Sequence, residues 1–132
     1  MADEADLGRG LANAIGVEYL ELGADHARGR MQVTETVLQP FGIVHGGALA
    51  ALAESVCSRA TYEQVAADGM MALGQSNNTT FLRAIASGHV RIEARARHRG
   101  RTTWVWDCEM SDDDGRLCAL ARLTIAVRPA RD

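Results

Sequence analysis

The last third of the chain alternates apolar and polar residues almost without a break. Val90, Ile92, Ala94 and Ala96 take turns with Arg91, Glu93, Arg95 and Arg97. A period of two sends the two sets to opposite faces of a strand, so one face is dry and the other wet. Thr102 to Met110 repeats the pattern, with Trp104, Trp106, Cys108 and Met110 on one side. Leu117 to Val127 repeats it through Ala119, Ala121, Leu123, Ile125 and Val127. Arg99-Gly100-Arg101 reads as the first joint, and Asp112-Asp113-Asp114-Gly115 as a hairpin turn by its Asp-Gly chemistry. Pro129 should end the sheet, leaving 128–132 to fray. Nearer the N-terminus, 17–23 and 28–37 predict two strands joined by a turn at Asp25-His26-Ala27. Met70 to Phe81 predicts another after the Asp68-Gly69 break, and Arg83 to Gly88 is a connection.

Two segments follow a helical period instead. Leu7, Leu11, Ala14 and Ile15 share a face, which predicts a short helix over about 6–15 that Gly16 stops. The longer helix runs over about 47–67. Ala48, Leu49, Ala50, Ala51, Leu52, Ala53, Val56, Cys57 and Ala60 leave it almost no polar side, so it should be buried nearly all round. One carboxylate, Glu54, stands in its middle, and a Glu is seldom buried unless it is paired or has a task. Ser58 follows four residues later on the same face. The approach loop, Leu38 to Gly47, carries Pro40 and three glycines and is neither strand nor regular helix. The sum is one α+β domain over 1–132, with five or six mostly antiparallel strands around one long helix.

The start of that helix matters as much as the acid. Gly46 and Gly47 have no side chain to screen their N–H groups, which are orphan donors at the positive end of the helix dipole. Such a place suits an oxyanion or a polarised carbonyl. The bland role for these glycines is backbone freedom at a loop-to-helix turn, and the two roles are compatible. Gly46 and Glu54 lie eight residues apart. That is roughly 12 Å along a helix at ~1.5 Å per residue. One chain cannot bring both to one small reacting group. A second copy lying antiparallel beside the first would do so, across a two-fold axis.

The run Gln39-Pro40-Phe41-Gly42-x-x-His45-Gly46-Gly47-x(6)-Glu54, with Leu52 and Ser58, resembles the hotdog-fold acyl-CoA thioesterases. Within them it is most similar to the phenylacetic-acid-degradation type and to the branch acting on aromatic acyl-CoA esters, including 1,4-dihydroxy-2-naphthoyl-CoA and 4-hydroxybenzoyl-CoA. The likeness covers residues from about 15 to 127. It implies a helix wrapped by a curved antiparallel sheet, which agrees with the element count. It implies hydrolysis of an aromatic or medium-chain acyl-CoA to the free acid and coenzyme A. Glu54 would then be a nucleophile or a general base, and the Gly46 N–H would polarise the thioester carbonyl. Gln39 and His45 would help bind the thioester or orient a water, and Ser58 would stand beside the acid. Gly74, Arg83 and the segment His98-Arg99-Gly100-Arg101-Thr102-Thr103 would receive the substrate and its coenzyme A phosphates, although Arg99 and Arg101 also read as solvated turn charges. Two departures stand out: Arg59 replaces a small or apolar residue at the acyl pocket, and Phe81-Leu82-Arg83-Ala84 replaces a more polar His-Val-Arg-Ser-like run. The resemblance further implies a homodimer at least, with homotetramers common, and no cofactor beyond the coenzyme A of the substrate.

Composition narrows the rivals. Nearly half of the 132 residues are apolar and the net charge is -3, which favours a packed domain and gives no footprint for nucleic acid. No run free of polar residues reaches the length of a membrane span, and the acidic start Met1 to Asp6 does not read as a secretory leader, so a cytoplasmic protein is expected. His26, His45, His89 and His98 show no metal-ligand spacing, and no metal is expected. Cys57, Cys108 and Cys118 read as buried free thiols. Two other readings remain: a hotdog dehydratase or hydratase acting on acyl thioesters, and a non-catalytic acyl-CoA-binding protein.

Overall fold

A computed structural model of the chain describes residues 9–130. Within them lie a helical turn α1 (Leu11–Ala14), the strands β1 (Val17–Leu22) and β2 (His26–Gln32), and the long helix α2 (Gly46–Val65). Four more strands follow: β3 (Met70–Phe81), β4 (His89–Arg99), β5 (Thr103–Ser111) and β6 (Leu117–Pro129). The strands form one six-stranded sheet in the order β1-β2-β4-β5-β6-β3, antiparallel throughout. α2 lies on the dry face of this curled sheet, which is the hotdog arrangement.

The alternation in the sequence builds that dry face. Val90, Ile92, Trp106, Met110, Leu123 and Ile125 are buried against Leu52, Ala53, Val56 and Ala60 of the helix. Small residues set the spacing. A Cβ on Gly29 would stand 2.8 Å from Val56 Cγ2, so α2 rests on the bare backbone of β2. Inside this layer the Trp106 indole N–H donates to Thr61 Oγ1 at 2.9 Å, and that hydroxyl donates to the Cys57 carbonyl at 2.8 Å. The polar atoms carried into the core are thereby satisfied. All three cysteines are buried free thiols. The opposite face is charged, with Asp107 gripped by Arg122 at 2.7 Å and approached by Arg97 at 3.6 Å.

Several element ends differ from the sequence expectation. α1 is a single turn, Leu11 is exposed, and Leu7 lies outside the described residues. β2 starts two residues before the expected Arg28, because the turn closes earlier, with Gly23 N–H donating to the His26 carbonyl at 3.0 Å. It also stops at Gln32, and Glu35–Val37 form a 3-10 turn in place of the strand's expected end. Arg128 and Pro129 belong to β6, paired with Met71 and Met70, so they do not fray. α2 is tightly held: from Ala48 to Tyr62 every residue is buried or half-buried.

β3 is different from the other long strands. It spans 12 residues, pairs with β6 along one edge, and has no fully buried residue. Its other edge meets no strand among the described residues. A long edge with unpaired N–H and C=O groups is a template for pairing with another chain. No helix of the described residues is long and apolar enough to cross a membrane.

Candidate active site

β3 runs antiparallel to α2 and touches it at three heights. Gly74 meets Glu54, Asn77 meets Ala50 and Glu54, and Phe81 meets Gly46. The sequence-predicted residues divide between the two ends of this seam.

At the Gly46 end the approach loop delivers its residues to the start of α2. His45 is the N-cap, in extended conformation, and its Nδ1 accepts the Gly47 N–H at 2.8 Å. That bond puts any proton of the neutral ring on Nε2. The Ala48 and Leu49 N–H groups donate to the His45 carbonyl. The Gly46 N–H finds no acceptor among the described residues. It stands free at the positive end of a 20-residue helix. A cavity of about 350 Å³ opens there, lined by Gln39, Ile43, Gly46, Leu49, Phe81 and Arg83 among others. Gln39 Oε1 accepts the Phe41 N–H, which shapes the loop and leaves the amide nitrogen as the free end of that side chain.

At the other end Glu54 is half-buried in a slot that β3 provides. A Cβ on Gly74 would stand 2.6 Å from both the carboxyl carbon and Oε2 of Glu54. A side chain at position 74 would displace the carboxylate from where it stands. The strand breaks register between Gly74 and Ser76, the mark of a bulge that re-aims its side chains. Asn77 Nδ2 donates to the Ala50 carbonyl at 2.9 Å and to Glu54 Oε1 at 3.3 Å, while Thr79 donates to Asn77 Oδ1 at 2.6 Å. The amide is thus held at both ends and presents a donor to the acid. Ser58 shares the Glu54 side of the helix but donates its hydroxyl back to the Glu54 carbonyl.

The remaining residues lie farther off. Arg59 pairs with Glu63 at 2.7 Å and lies over the Tyr19 ring at 5.9 Å, against β1 at the far edge of the sheet from β3. Burial pushes the Tyr19 hydroxyl above its ordinary value, and the Arg59 charge offsets part of that rise. Within one chain Arg59 therefore does not line the Gly46 cavity or the Glu54 slot. Arg83 and the His98–Thr103 turn sit at opposite ends of β6. The Arg83 N–H donates to the Cys118 carbonyl, whereas the Thr102 carbonyl accepts from Val127. Nine residues of strand separate those contacts, roughly 30 Å at ~3.3 Å each. In the turn, Gly100 N–H donates to the Thr103 carbonyl at 2.8 Å, His98 packs on Gly100, and Arg99 pairs with Asp25 at 2.7 Å. Arg101 and Thr102 are exposed. A larger concavity of about 650 Å³ on the charged outer face, between Arg95, Asp107 and Arg122, contains none of the predicted site residues.

The sequence pattern of the thioesterase superfamily matches residues 41–119. The chain belongs to the thioesterase superfamily. It is 38% identical over 117 residues to the proofreading thioesterase EntH of Cronobacter turicensis, covering 89% of this chain and 85% of that one. The crystal structure of a variant of thioesterase PA1618 from Pseudomonas aeruginosa superposes with a TM-score of 0.88 at 38% identity, covering 95% and 90% of the two chains. SAV0944 from Staphylococcus aureus superposes with a TM-score of 0.86 at 31% identity, covering 91% and 99%. Its solved variants include a glutamine-to-alanine and a glutamate-to-alanine substitution fifteen residues apart in that chain. Such company makes this superfamily member a thioester hydrolase.

Asn77 gave no separate signal in the sequence, where it looks like an ordinary polar position of an exposed strand. Phe81 stood out only within the Phe81-Leu82-Arg83-Ala84 departure from a more polar run, with nothing to place it beside Gly46. An amide next to a lone acid in space has no spacing rule, because the contact depends on how β3 crosses α2.

Proposed function

We propose that the chain hydrolyses an aromatic or medium-chain acyl-CoA thioester in a site completed across a two-fold homodimer, with homotetramers formed by pairing of dimers. The carrying observation is the division of the site along β3: the free Gly46 N–H lies at one end and the Glu54 slot at the other, beside an unpaired edge. Antiparallel pairing of two β3 edges sets the Gly74 end of one strand against the Phe81 end of its partner. Glu54 of one subunit then faces Gly46, Gln39 and His45 of the other. The same operation carries Arg83 of one subunit toward the His98–Thr103 turn of the other, which gathers basic groups for the phosphates of coenzyme A. Gln39 and Glu54 are fifteen residues apart, the spacing of the two substituted positions in SAV0944.

In this arrangement the thioester oxygen accepts the Gly46 N–H, and the helix dipole favours the charge that develops on it. Glu54 attacks the carbonyl carbon to give a mixed anhydride that water then opens, or it takes a proton from the water that attacks. Either way the C–S bond breaks, and the free acid and coenzyme A leave. The reaction uses no cofactor. His45 caps the helix and so fixes the direction of the Gly46 N–H.

Thiol release from benzoyl-CoA tests the reading. Glu54→Gln is expected to lower kcat by ~10³-fold, within the range for loss of an acid-base or nucleophilic group. Gln39→Ala lowers it from the other side. Mixing the two inactive variants and allowing subunit exchange should restore activity, since one hybrid site then carries both native residues. Wild-type rates in Glu54→Gln, or mixed dimers that form without recovering activity, would overturn the shared site.

A further inference from the structure

We propose that Phe81 is the specificity-determining wall of the acyl site and selects a flat, apolar aryl group. This rests on the reading of the Gly46 N–H as the seat of the thioester oxygen. The ring of Phe81 fills the space a side chain at position 46 would occupy: a Cβ there would lie 2.8 Å from Cζ, 3.0 Å from Cε2 and 3.2 Å from Cε1. An oxygen bound to the Gly46 N–H sits ~2.9 Å from that nitrogen. Its carbon is one bond farther and the acyl chain begins one bond beyond that. The first atoms of the acyl group are therefore held beside this ring.

Within one chain Phe81 ends β3 and is 54% exposed, at the mouth of the cavity and on the edge along which the proposed partner would pair. The other walls are aliphatic: Ile43, Val44, Leu49, Leu82 and Ile85. The polar side chains are Gln39, whose Oε1 already accepts the Phe41 N–H, and Arg83. The polar groups left to meet a ligand are the Gln39 amide nitrogen and the Arg83 guanidinium, and the rest of the wall is apolar. An alkyl chain would be tolerated on hydrophobic grounds. A planar ring gains the additional aromatic pairing, worth about 2- to 12-fold in affinity.

The test replaces the ring but keeps an apolar side chain. Phe81→Leu is expected to lower the ratio of kcat/KM for benzoyl-CoA over hexanoyl-CoA by about 2- to 12-fold, while Phe81→Tyr keeps it. A melting curve of each variant checks that it folds. In parallel, calorimetry compares phenacyl-CoA with 2-oxoheptyl-CoA, thioethers that keep a carbonyl and cannot be hydrolysed. The same fall in the affinity ratio is expected. An unchanged ratio in folded Phe81→Leu, or binding of neither thioether by the wild type, overturns the proposal. Absence of thiol release from both esters by the wild type would count against the hydrolytic reading instead, and the calorimetry would still decide the role of Phe81.

Discussion

Gly74→Ala isolates the slot that holds the acid. The added Cβ would stand 2.6 Å from the carboxyl carbon and Oε2 of Glu54, where ordinary contact begins at 3.4 Å, so the carboxylate must retreat by about 0.8 Å. The backbone itself does not object, since Gly74 does not have the positive φ that strains an alanine. Exchanging Gly for Ala at a compatible site stabilises a fold by ~0.4–1 kcal/mol through the unfolded chain. Folding should therefore hold while chemistry suffers. A displacement of ~1 Å at a reacting group costs on the order of 10²-fold. The expected fall in kcat is ~10- to 100-fold.

Thiol release from benzoyl-CoA measures the rate, and a melting curve confirms the fold. A double variant makes the inference sharper. If Gly74 acts only by housing Glu54, then Gly74→Ala costs nothing further once Glu54→Gln has removed the carboxylate. Wild-type kcat in Gly74→Ala would refute the slot. Independent, multiplying losses in the double variant would mean that the glycine serves the substrate directly, the role that family resemblance alone suggests for it.

Two further outcomes concern stability. Thr61→Val keeps the shape of the side chain but leaves the buried Trp106 indole N–H without its acceptor; urea denaturation should show a loss of ~1–3 kcal/mol. An unchanged midpoint would mean that the core repairs this bond by itself. In acid, Asp107 and Asp112 should cost the fold stability. The Arg122 hydrogen bond and the Arg122 and Arg97 charges hold the Asp107 carboxyl below its ordinary 3.8, against a smaller upward push from burial. Burial pushes Asp112 up, but the Arg116 and Asp114 N–H groups and the Arg116 guanidinium outweigh it and leave the group below 3.8. A depressed folded value stabilises the fold above the ordinary value, and that stability is lost as pH falls through the folded one. The melting temperature should hold from pH 6 to about 4 and decline below the ordinary carboxylate range near ~3.9, less steeply in Asp107→Asn. A flat profile down to pH 2 would contradict the assignment.

Most of the fold was legible because the dry face writes itself into the chain. β4, β5 and β6 alternate under one helix, and their burial follows the alternation with few breaks. α2 was legible for the complementary reason: Ala and Leu on every side require a surrounding. The ends of β2 were not, since Val33 and Val37 extend the apolar pattern while the chain has already left the sheet for a 3-10 turn. The N-terminal helix was overread because a spacing of Leu11, Ala14 and Ile15 says nothing about what would cover it, and Leu11 is exposed. Among the site residues, Glu54 showed itself as a charge out of place. Asn77 did not, since it is ordinary in its own strand, and Phe81 showed itself only as a departure from a more polar run; both acquire meaning only where β3 crosses the helix.

That crossing also explains why sequence likeness grouped residues that one chain keeps apart. Matching Arg83 and the His98–Thr103 turn to one nucleotide site treats the site as a property of a chain. The sheet says otherwise, since Cys118 and Val127 tie them to opposite ends of β6. The same opposition separates Gly46 from Glu54 along α2. Both pairs are split along the long axis of the molecule, and in the proposed dimer both would be brought together by a single two-fold operation across the unpaired edge of β3. A substrate long enough to need a phosphate grip at one end and a polarised carbonyl at the other would then be served by two chains lying head to tail. On that proposal the bulge at Gly74 and the ring of Phe81, at opposite ends of the edge, would be features of one interface that each chain carries in two halves.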